Sequence, residues 1–272
     1  MNMTGMWETA SYSIERLDGG ETEQRREDVL AVEAPLEIRF AGRPAAVLMR
    51  TPGHDEELVR GYLFTEGIIG RADEILEMTR PDDLAPGLVG NVIDVRLASM
   101  RKAARLDRSN VSSASCGVCG KRSIASIEIA AERIDAPTEV AREVLSTLPG
   151  KLKPAQPTFR LTGGVHASGL FTPEGELVAV REDVGRHNAL DKLIGWALAA
   201  DLIPLDRRVL LLSGRVSHEL IQKAVAASIP IVAAVGAPSS LAVDLADRFG
   251  ITLVGFLRPD GMNAYANSSR IR

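Results

Sequence analysis

The chain has 272 residues, of which 45% are apolar and 25% are charged, and these values are typical of a globular protein. Lys and Arg total 32 against 36 Asp and Glu, a net charge of −4, which argues against a nucleic-acid partner because such binding needs a concentrated basic face. The sequence has no run of 18 apolar residues and no secretory signal, so we predict a cytoplasmic protein without a membrane partner. Two cysteines do not make a disulfide framework.

The first half predicts a small α+β domain behind a flexible arm. Residues 1–28 are polar and mixed in charge, and are predicted to be the flexible N-terminal arm. The domain is predicted over 29–136 and ends with a CxxC loop and one more strand. Its predicted elements are strands at Leu36–Phe40, Ala46–Met49 and Ile93–Leu97, a helix at Asp55–Glu66, and a strand near 124–129.

The second half, residues 137–272, predicts a more regular α/β domain. Three almost wholly apolar runs, at 209–212, 231–235 and 251–254, are typical of central strands covered on both faces. The other predicted elements are a hairpin of Val165–Phe171 with Glu176–Val180, and helices at 138–148, His187–Ala200, 218–228 and 239–249. Their order indicates a three-layer α/β/α sheet.

The single CxxC motif consists of Cys116 and Cys119 in a Ser- and Gly-rich stretch, followed by Lys121 and Arg122. Nearby positive charge stabilises a thiolate, which favours a reactive thiol. The alternatives are two inert loop thiols, a thioredoxin-like motif and a structural zinc site. Residues 120–123 make a poor first helical turn for the thioredoxin-like alternative. A structural zinc site needs four ligands, and the four histidines have no ligand spacing, so no zinc is expected.

A second set of candidate residues lies around the predicted sheet. Gly163 and Gly164 precede His166, and three strand-to-helix junctions mix Gly with hydroxyl or basic residues, at 181–188, 213–217 and 236–240. Helix N-termini bind anions, and such junctions lie where ligands bind open α/β sheets. Arg186 and Arg215 favour a phosphate ligand such as a nucleotide diphosphate. The alternatives are ordinary helix capping by serines and a structural role for His166.

Several motifs in chain order resemble the FdhD/NarQ family, the formate dehydrogenase accessory sulfurtransferases. They cover nearly the whole chain from about residue 30. The matching stretches are Glu33–Ile38, Met49–Gly53, Thr65–Ile69, Ser115–Gly120, Thr162–His166, Arg181–Lys192, Ser213–Arg215 and Gly255–Arg258.

The resemblance implies a sulfur carrier with a persulfide on Cys116. It implies a cysteine desulfurase as sulfur donor, formate dehydrogenase as client, and the molybdenum of bis(molybdopterin guanine dinucleotide) as acceptor, with a guanine nucleotide as partial mimic. It also implies a homodimer and a cytidine-deaminase-like second domain. Cys119 would attack the Cys116 persulfide and expel sulfide. The cofactor-binding residues that it implies, together with the junctions, are Phe256, Leu257, Arg258, Pro259, Asp260, Gly261, Gly163, Gly164, His166, Arg186, His187, Ser213, Gly214 and Arg215.

Two other functions stay open at this point. A zinc deaminase-like enzyme needs His-x-Glu followed by Pro-Cys-x-x-Cys, whereas here Ser168 replaces the Glu and the CxxC precedes His166. A non-catalytic cofactor chaperone would fit the junctions equally well. The chain departs from the usual family pattern at Ser228, where Gly is common, and at Gly236, where Ser is common and could contact a phosphate.

Overall fold

The computed structural model describes residues 8–17, 23–86, 88–101 and 132–272. Cys116, Cys119 and the strand predicted near 124–129 lie outside these residues. Within the described ranges, no helix is both long and apolar enough to cross a membrane.

The first elements form a two-stranded antiparallel hairpin, β1 (Thr9–Leu17) and β2 (Glu23–Ala31). The prediction of a flexible arm over residues 1–28 is therefore wrong for these strands. Apolar alternation could not reveal them, because β1 is largely exposed on both faces. The hairpin is tied to the second half of the chain, since the Thr158 hydroxyl donates to Glu8 Oε2 at 2.9 Å.

A four-stranded sheet and one helix form the unit that follows. The strands are β3 (Ala34–Phe40), β4 (Arg43–Arg50), β5 (Ile75–Thr79) and β6 (Val92–Leu97), in the spatial order β4-β3-β6-β5. Helix α1 (Asp55–Thr65) packs its apolar side chains against this sheet. The predicted elements β3, β4, α1 and β6 are confirmed. Strand β5 was not predicted, because three of its five residues are exposed and the other two are only partly buried.

A six-stranded sheet forms the second unit, in the spatial order β12-β11-β10-β9-β7-β8. Strands β9, β10 and β11 run parallel, and β7, β8 and β12 pair antiparallel to their neighbours. The strands are β7 (His166–Phe171), β8 (Leu177–Asp183), β9 (Val209–Leu212), β10 (Ile231–Ala234), β11 (Thr252–Arg258) and β12 (Gly261–Ala266). The helices are α2 (Arg142–Leu152), α3 (Pro157–Thr162), α4 (Arg186–Ala199), α5 (His218–Ala226) and α6 (Ser240–Phe249).

Helices cover both faces of the six-stranded sheet. Apolar residues of α4, α5 and α6 share one core with Leu210 of β9. Residues of α2 share the other core with Leu211 of the same strand. Successive strand residues point to opposite faces, so the predicted burial of the three apolar runs on both sides is confirmed.

The two units meet where α1 crosses α4. A Cβ atom on Gly61 would lie 1.8 Å from the backbone oxygen of Asp191, and one on Gly195 would lie 1.9 Å from that of Glu57. The backbones of the two helices are therefore in direct contact, which only glycine allows. Beside this crossing, Arg181 of β8 pairs with Glu57 of α1. Burial raises the pKa of Glu57, but the hydrogen bond and charge of Arg181 outweigh this effect and bring the pKa down to about 2.

Some boundaries differ from the predictions. Helix α2 runs four residues beyond the predicted end, through Pro149, because Leu152 is needed in the core under β11. The short helix α3 and the edge strand β12 were not predicted. Ser228 has φ +58°, a backbone conformation that favours glycine, which agrees with the glycine common there in the family that the sequence resembles.

Candidate functional site

One edge of the six-stranded sheet collects most of the predicted site residues. The carboxyl ends of β9, β10 and β11 lie there together with the start of β7 and the end of β8. Helices α4, α5 and α6 begin at the same edge. Their first backbone N–H groups and the positive ends of their dipoles favour an anionic ligand at this position.

The loops at this edge pack against each other through glycine backbones. Gly236 donates to the Gly214 carbonyl at 3.1 Å, and Phe256 donates to the Gly236 carbonyl at 3.1 Å. A Cβ atom on Gly236 would lie 2.7 Å from that Gly214 oxygen and 2.8 Å from the Arg215 nitrogen. From the sequence alone, Gly236 predicts the loss of a hydroxyl contact to a phosphate. The structure shows instead that glycine here lets the two loops pack together.

Four of the predicted residues form a cluster of basic side chains, namely His166, Arg186, His187 and Arg215. Burial lowers the pKa of His166, and the charges of Arg186, His187 and Arg215 lower it further. Within the described part of the chain, neither Arg186 nor Arg215 forms an ion pair with a carboxylate. The cluster therefore has cationic groups available for an anion.

Other predicted residues of this edge have structural contacts. Ser213 Oγ accepts a hydrogen bond from the Ala167 nitrogen at 2.9 Å, which ties β9 to β7. Gly163 ends α3 with φ +65°. Gly164 follows it and lies beside Ala31 of the hairpin. The hydrogen bond of Ser213 and the positive φ of Gly163 account for these two residue types without a ligand, and the ligand role of the three residues stays a prediction.

The predicted stretch from Phe256 to Gly261 divides into exposed and buried parts. Phe256 is 46% exposed and has φ +51°, a strained conformation for an aromatic residue. Leu257 is wholly buried in the core of α2. Arg258 donates to the Val235 carbonyl at 2.8 Å. Pro259 and Asp260 form the exposed turn into β12, which starts at Gly261. Phe256 is thus the side chain of this stretch best placed for a flat ligand.

Much of the stretch 181–192 joins the two units rather than facing the edge. Lys192 Nζ lies 2.7 Å from Asp183 Oδ2, and both side chains are almost fully buried. The Thr51 nitrogen donates to the same Asp183 oxygen at 3.1 Å, and Lys192 donates to the Thr51 carbonyl at 2.8 Å. A buried charge must be paired and hydrogen-bonded, and this network satisfies that need. Arg186 and His187 are the residues of this stretch that join the basic cluster.

Sequence reasoning missed Glu219 as a site residue and included Ser217 in the candidate junction 213–217, with helix capping as the alternative. In the structure, His187 Nε2 lies 2.9 Å from Glu219 Oε2 and 3.1 Å from Ser217 Oγ. The sequence places these residues 30 or more positions after His187. Only the acidic residue in the first turn of α5 could have drawn attention to the pair.

The profile of the FdhD/NarQ family matches residues 31–272. The chain belongs to the FdhD/NarQ family. Among curated members, the "Sulfur carrier protein FdhD" of Streptomyces avermitilis is 51% identical over 253 residues, covering 90% of each chain. The protein of the same name from Mycobacterium tuberculosis is 49% identical, covering 90% of this chain and 92% of its own. The archaeal relative from Sulfurisphaera tokodaii is 42% identical, covering 92% and 94%.

A solved structure supports the family fold. The crystal structure of a protein described as a formate dehydrogenase accessory protein, from Desulfotalea psychrophila, matches with a TM-score of 0.76 and 25% identity. It covers 97% of this chain and 99% of its own. The described residues contain no group of three or more His, Cys, Asp or Glu side chains that could hold a metal ion.

Proposed function

We propose that the protein is a sulfur carrier in formate dehydrogenase maturation, with sulfurtransferase activity. The observation that carries this proposal is the match to the FdhD/NarQ family over residues 31–272, together with close relatives named as sulfur carriers. The chain has only two cysteines, both in the CxxC motif. The family resemblance makes the first of them, Cys116, the proposed carrier.

The proposed loading step is a thiol exchange. The Cys116 thiolate attacks the outer sulfur of a persulfide on a cysteine desulfurase. A sulfur–sulfur bond forms to Cys116, the donor's sulfur–sulfur bond breaks, and the donor leaves as a thiolate. The terminal proton stays on the transferred sulfur, so no external oxidant or reductant is needed. Lys121 and Arg122 stabilise the attacking thiolate by their charge.

The proposed acceptor is the molybdenum of bis(molybdopterin guanine dinucleotide), bound as substrate at the carboxyl edge of the six-stranded sheet. Its pyrophosphate groups suit the start of α4 and the guanidinium groups of Arg186 and Arg215, which pair with no carboxylate among the described residues. The exposed ring of Phe256 suits stacking on the guanine base. The residues at this edge thus fit the group, and they would bind and orient it.

The layering of the second unit, the oligomeric state and the cellular location are part of the same proposal. The strand order and the helices on both faces of the sheet support a cytidine-deaminase-like layering of the second unit. We also propose a homodimer and a cytoplasmic location, by analogy with the family that the sequence resembles.

Loading of the carrier predicts a gain of one sulfur atom. We expect the purified protein, incubated with a cysteine desulfurase and cysteine, to gain one sulfur by intact-protein mass spectrometry. Peptide mapping should place the sulfur on Cys116, and Cys116→Ala should gain none. If the wild-type protein stays unmodified while the desulfurase is active, sulfur transfer is refuted. The non-catalytic cofactor chaperone, which the basic cluster fits equally well, would then become the better interpretation.

Cofactor binding predicts that Phe256→Ala weakens guanosine diphosphate binding. Base–aromatic stacking contributes about 1–3 kcal/mol, so the dissociation constant measured by calorimetry should rise roughly 5- to 150-fold. Leu177→Ala is the control, because Leu177 is 37% exposed but starts β8, at the opposite edge of the sheet. Equal affinity of wild type and Phe256→Ala would refute the stacking role.

A further inference from the structure

Two side chains at the start of α5 hold one imidazole at the start of α4. His187 Nε2 lies 2.9 Å from Glu219 Oε2 and 3.1 Å from Ser217 Oγ. The Ser217 hydroxyl itself donates to Glu219 Oε2 at 3.2 Å. His187 and Glu219 are 8% and 7% exposed, so water screens their interaction only weakly. The sulfur-carrier proposal assigns no role to this carboxylate.

The geometry fixes the position of one proton on the ring. Burial raises the pKa of Glu219, but its hydrogen bond to His187 and the nearby charges outweigh this effect, so the pKa is lowered overall. Glu219 is therefore an ionised carboxylate at neutral pH and can only accept hydrogen bonds. His187 Nε2 must carry the hydrogen between them. The other ring nitrogen, Nδ1, makes no hydrogen bond to any residue that the structure describes.

The surroundings of the pair are rich in positive charge. Arg186 precedes His187 on α4, His166 lies on β7, and Arg215 and His218 flank Ser217. Asp183, at the end of β8, is already engaged by Lys192. Glu219 is thus the acidic group that contacts His187 directly, and it opposes the repulsion of the neighbouring cations. Glu219 Oε1 is itself buried without a hydrogen-bond partner among the described residues, whereas Oε2 accepts the hydrogen bonds of His187 and Ser217. Lys223, one turn further along α5, also acts on this carboxylate by its charge.

We propose that Glu219 is a positioning residue of the anion site, which holds His187 with its proton on Nε2 and stabilises the imidazolium form that donates from Nδ1 to a ligand phosphate. This inference rests on the proposed binding of a pyrophosphate at this edge. A charged donor forms a stronger hydrogen bond to a phosphate than a neutral one. Anion affinity is therefore expected to fall as His187 loses its proton.

The test measures affinity against pH with guanosine diphosphate mannose, whose pyrophosphate diester has no group that titrates between pH 5 and pH 8, the range in which histidine titrates. We expect the wild-type affinity to fall about tenfold from pH 5 to pH 8. Glu219→Gln keeps the side-chain shape but removes the charge. The midpoint of the binding profile should therefore move to lower pH in this variant, because the imidazolium form has lost the opposite charge that favours it.

Two control variants separate charge from contact. Ser217→Ala removes the second hydrogen bond of His187 but keeps the carboxylate, so its midpoint should stay at the wild-type value. Glu77→Gln removes an exposed carboxylate that pairs with Arg96 at 3.0 Å on the four-stranded sheet, away from the edge, and should leave the binding profile unchanged.

Three results would overturn the proposal. The first is a Glu219→Gln profile that superimposes on that of the wild type. The second is an NMR signature of a proton on Nδ1 rather than Nε2 in neutral His187 of the wild-type protein, which can be measured even if Glu219→Gln does not fold. The third is absence of wild-type binding at every pH, which also refutes the proposed anion site. The first two results leave that site standing, so the two failures are distinguishable.

Discussion

Cys116→Ala is expected to abolish formate dehydrogenase maturation. The chain has only two cysteines, and loss of a nucleophile usually costs several orders of magnitude in rate. In cells that lack their own carrier, formate dehydrogenase activity supported by this variant should fall at least about 100-fold below that supported by the wild-type protein. The measurement is the activity of the client enzyme at matched levels of both proteins.

Controls for this experiment lie in the same segment. Ser115→Ala changes a neighbour of Cys116 without removing a thiol and should support maturation normally. Cys119→Ala tests whether delivery needs the second thiol to release sulfide from the first. Wild-type maturation by Cys116→Ala would contradict the carrier proposal. A failing variant that still binds guanosine diphosphate normally would separate sulfur transfer from cofactor binding.

The sequence predicts the centre of the six-stranded sheet well, because its strands are buried on both faces. Leu210 and Leu211 face different cores, and such two-sided burial leaves an apolar run that is visible without a structure. The hairpin β1–β2 leaves no such pattern, since its side chains are mostly exposed. It is held by long-range contacts such as Thr158 to Glu8, which local sequence cannot show.

The candidate site likewise has residues that the sequence predicts and roles that it does not predict. Arg186 and Arg215 follow from strand-to-helix junctions, because the carboxyl ends of parallel strands meet at one edge. The separate roles of Asp183 and His187 could not be predicted, although they are close in sequence. Asp183 forms an ion pair with Lys192 and accepts a hydrogen bond from the Thr51 nitrogen, whereas His187 contacts Glu219. Such roles depend on partners that only the tertiary structure brings together.

Gly61→Ala is expected to destabilise the protein strongly and to disturb the site from a distance. The new Cβ would lie 1.8 Å from the Asp191 backbone oxygen, and backbone atoms cannot rotate away as a side chain can. Helices α1 and α4 must therefore separate. Overpacking typically costs about 1–3 kcal/mol, and more where backbone must move, so we expect a loss of about 3 kcal/mol or more. For a chain of this size the Tm should fall by about 5 °C or more.

The damage should extend to ligand binding because α4 carries Arg186 and His187 at its first turn. The crossing also places Asp191 against Lys223 at 2.8 Å and Thr65 at 2.9 Å, so separation would break a buried ion pair whose members are costly to leave unpaired. Gly150→Ala is the matched control, since Gly150 also lies in a helix but a Cβ there meets nothing within 4 Å. That variant should gain up to about 1 kcal/mol from the better helix propensity of alanine. Equal Tm values for Gly61→Ala and the wild type would show that the two helices do not need their close contact, and the position of the basic cluster would then have to be set by other elements.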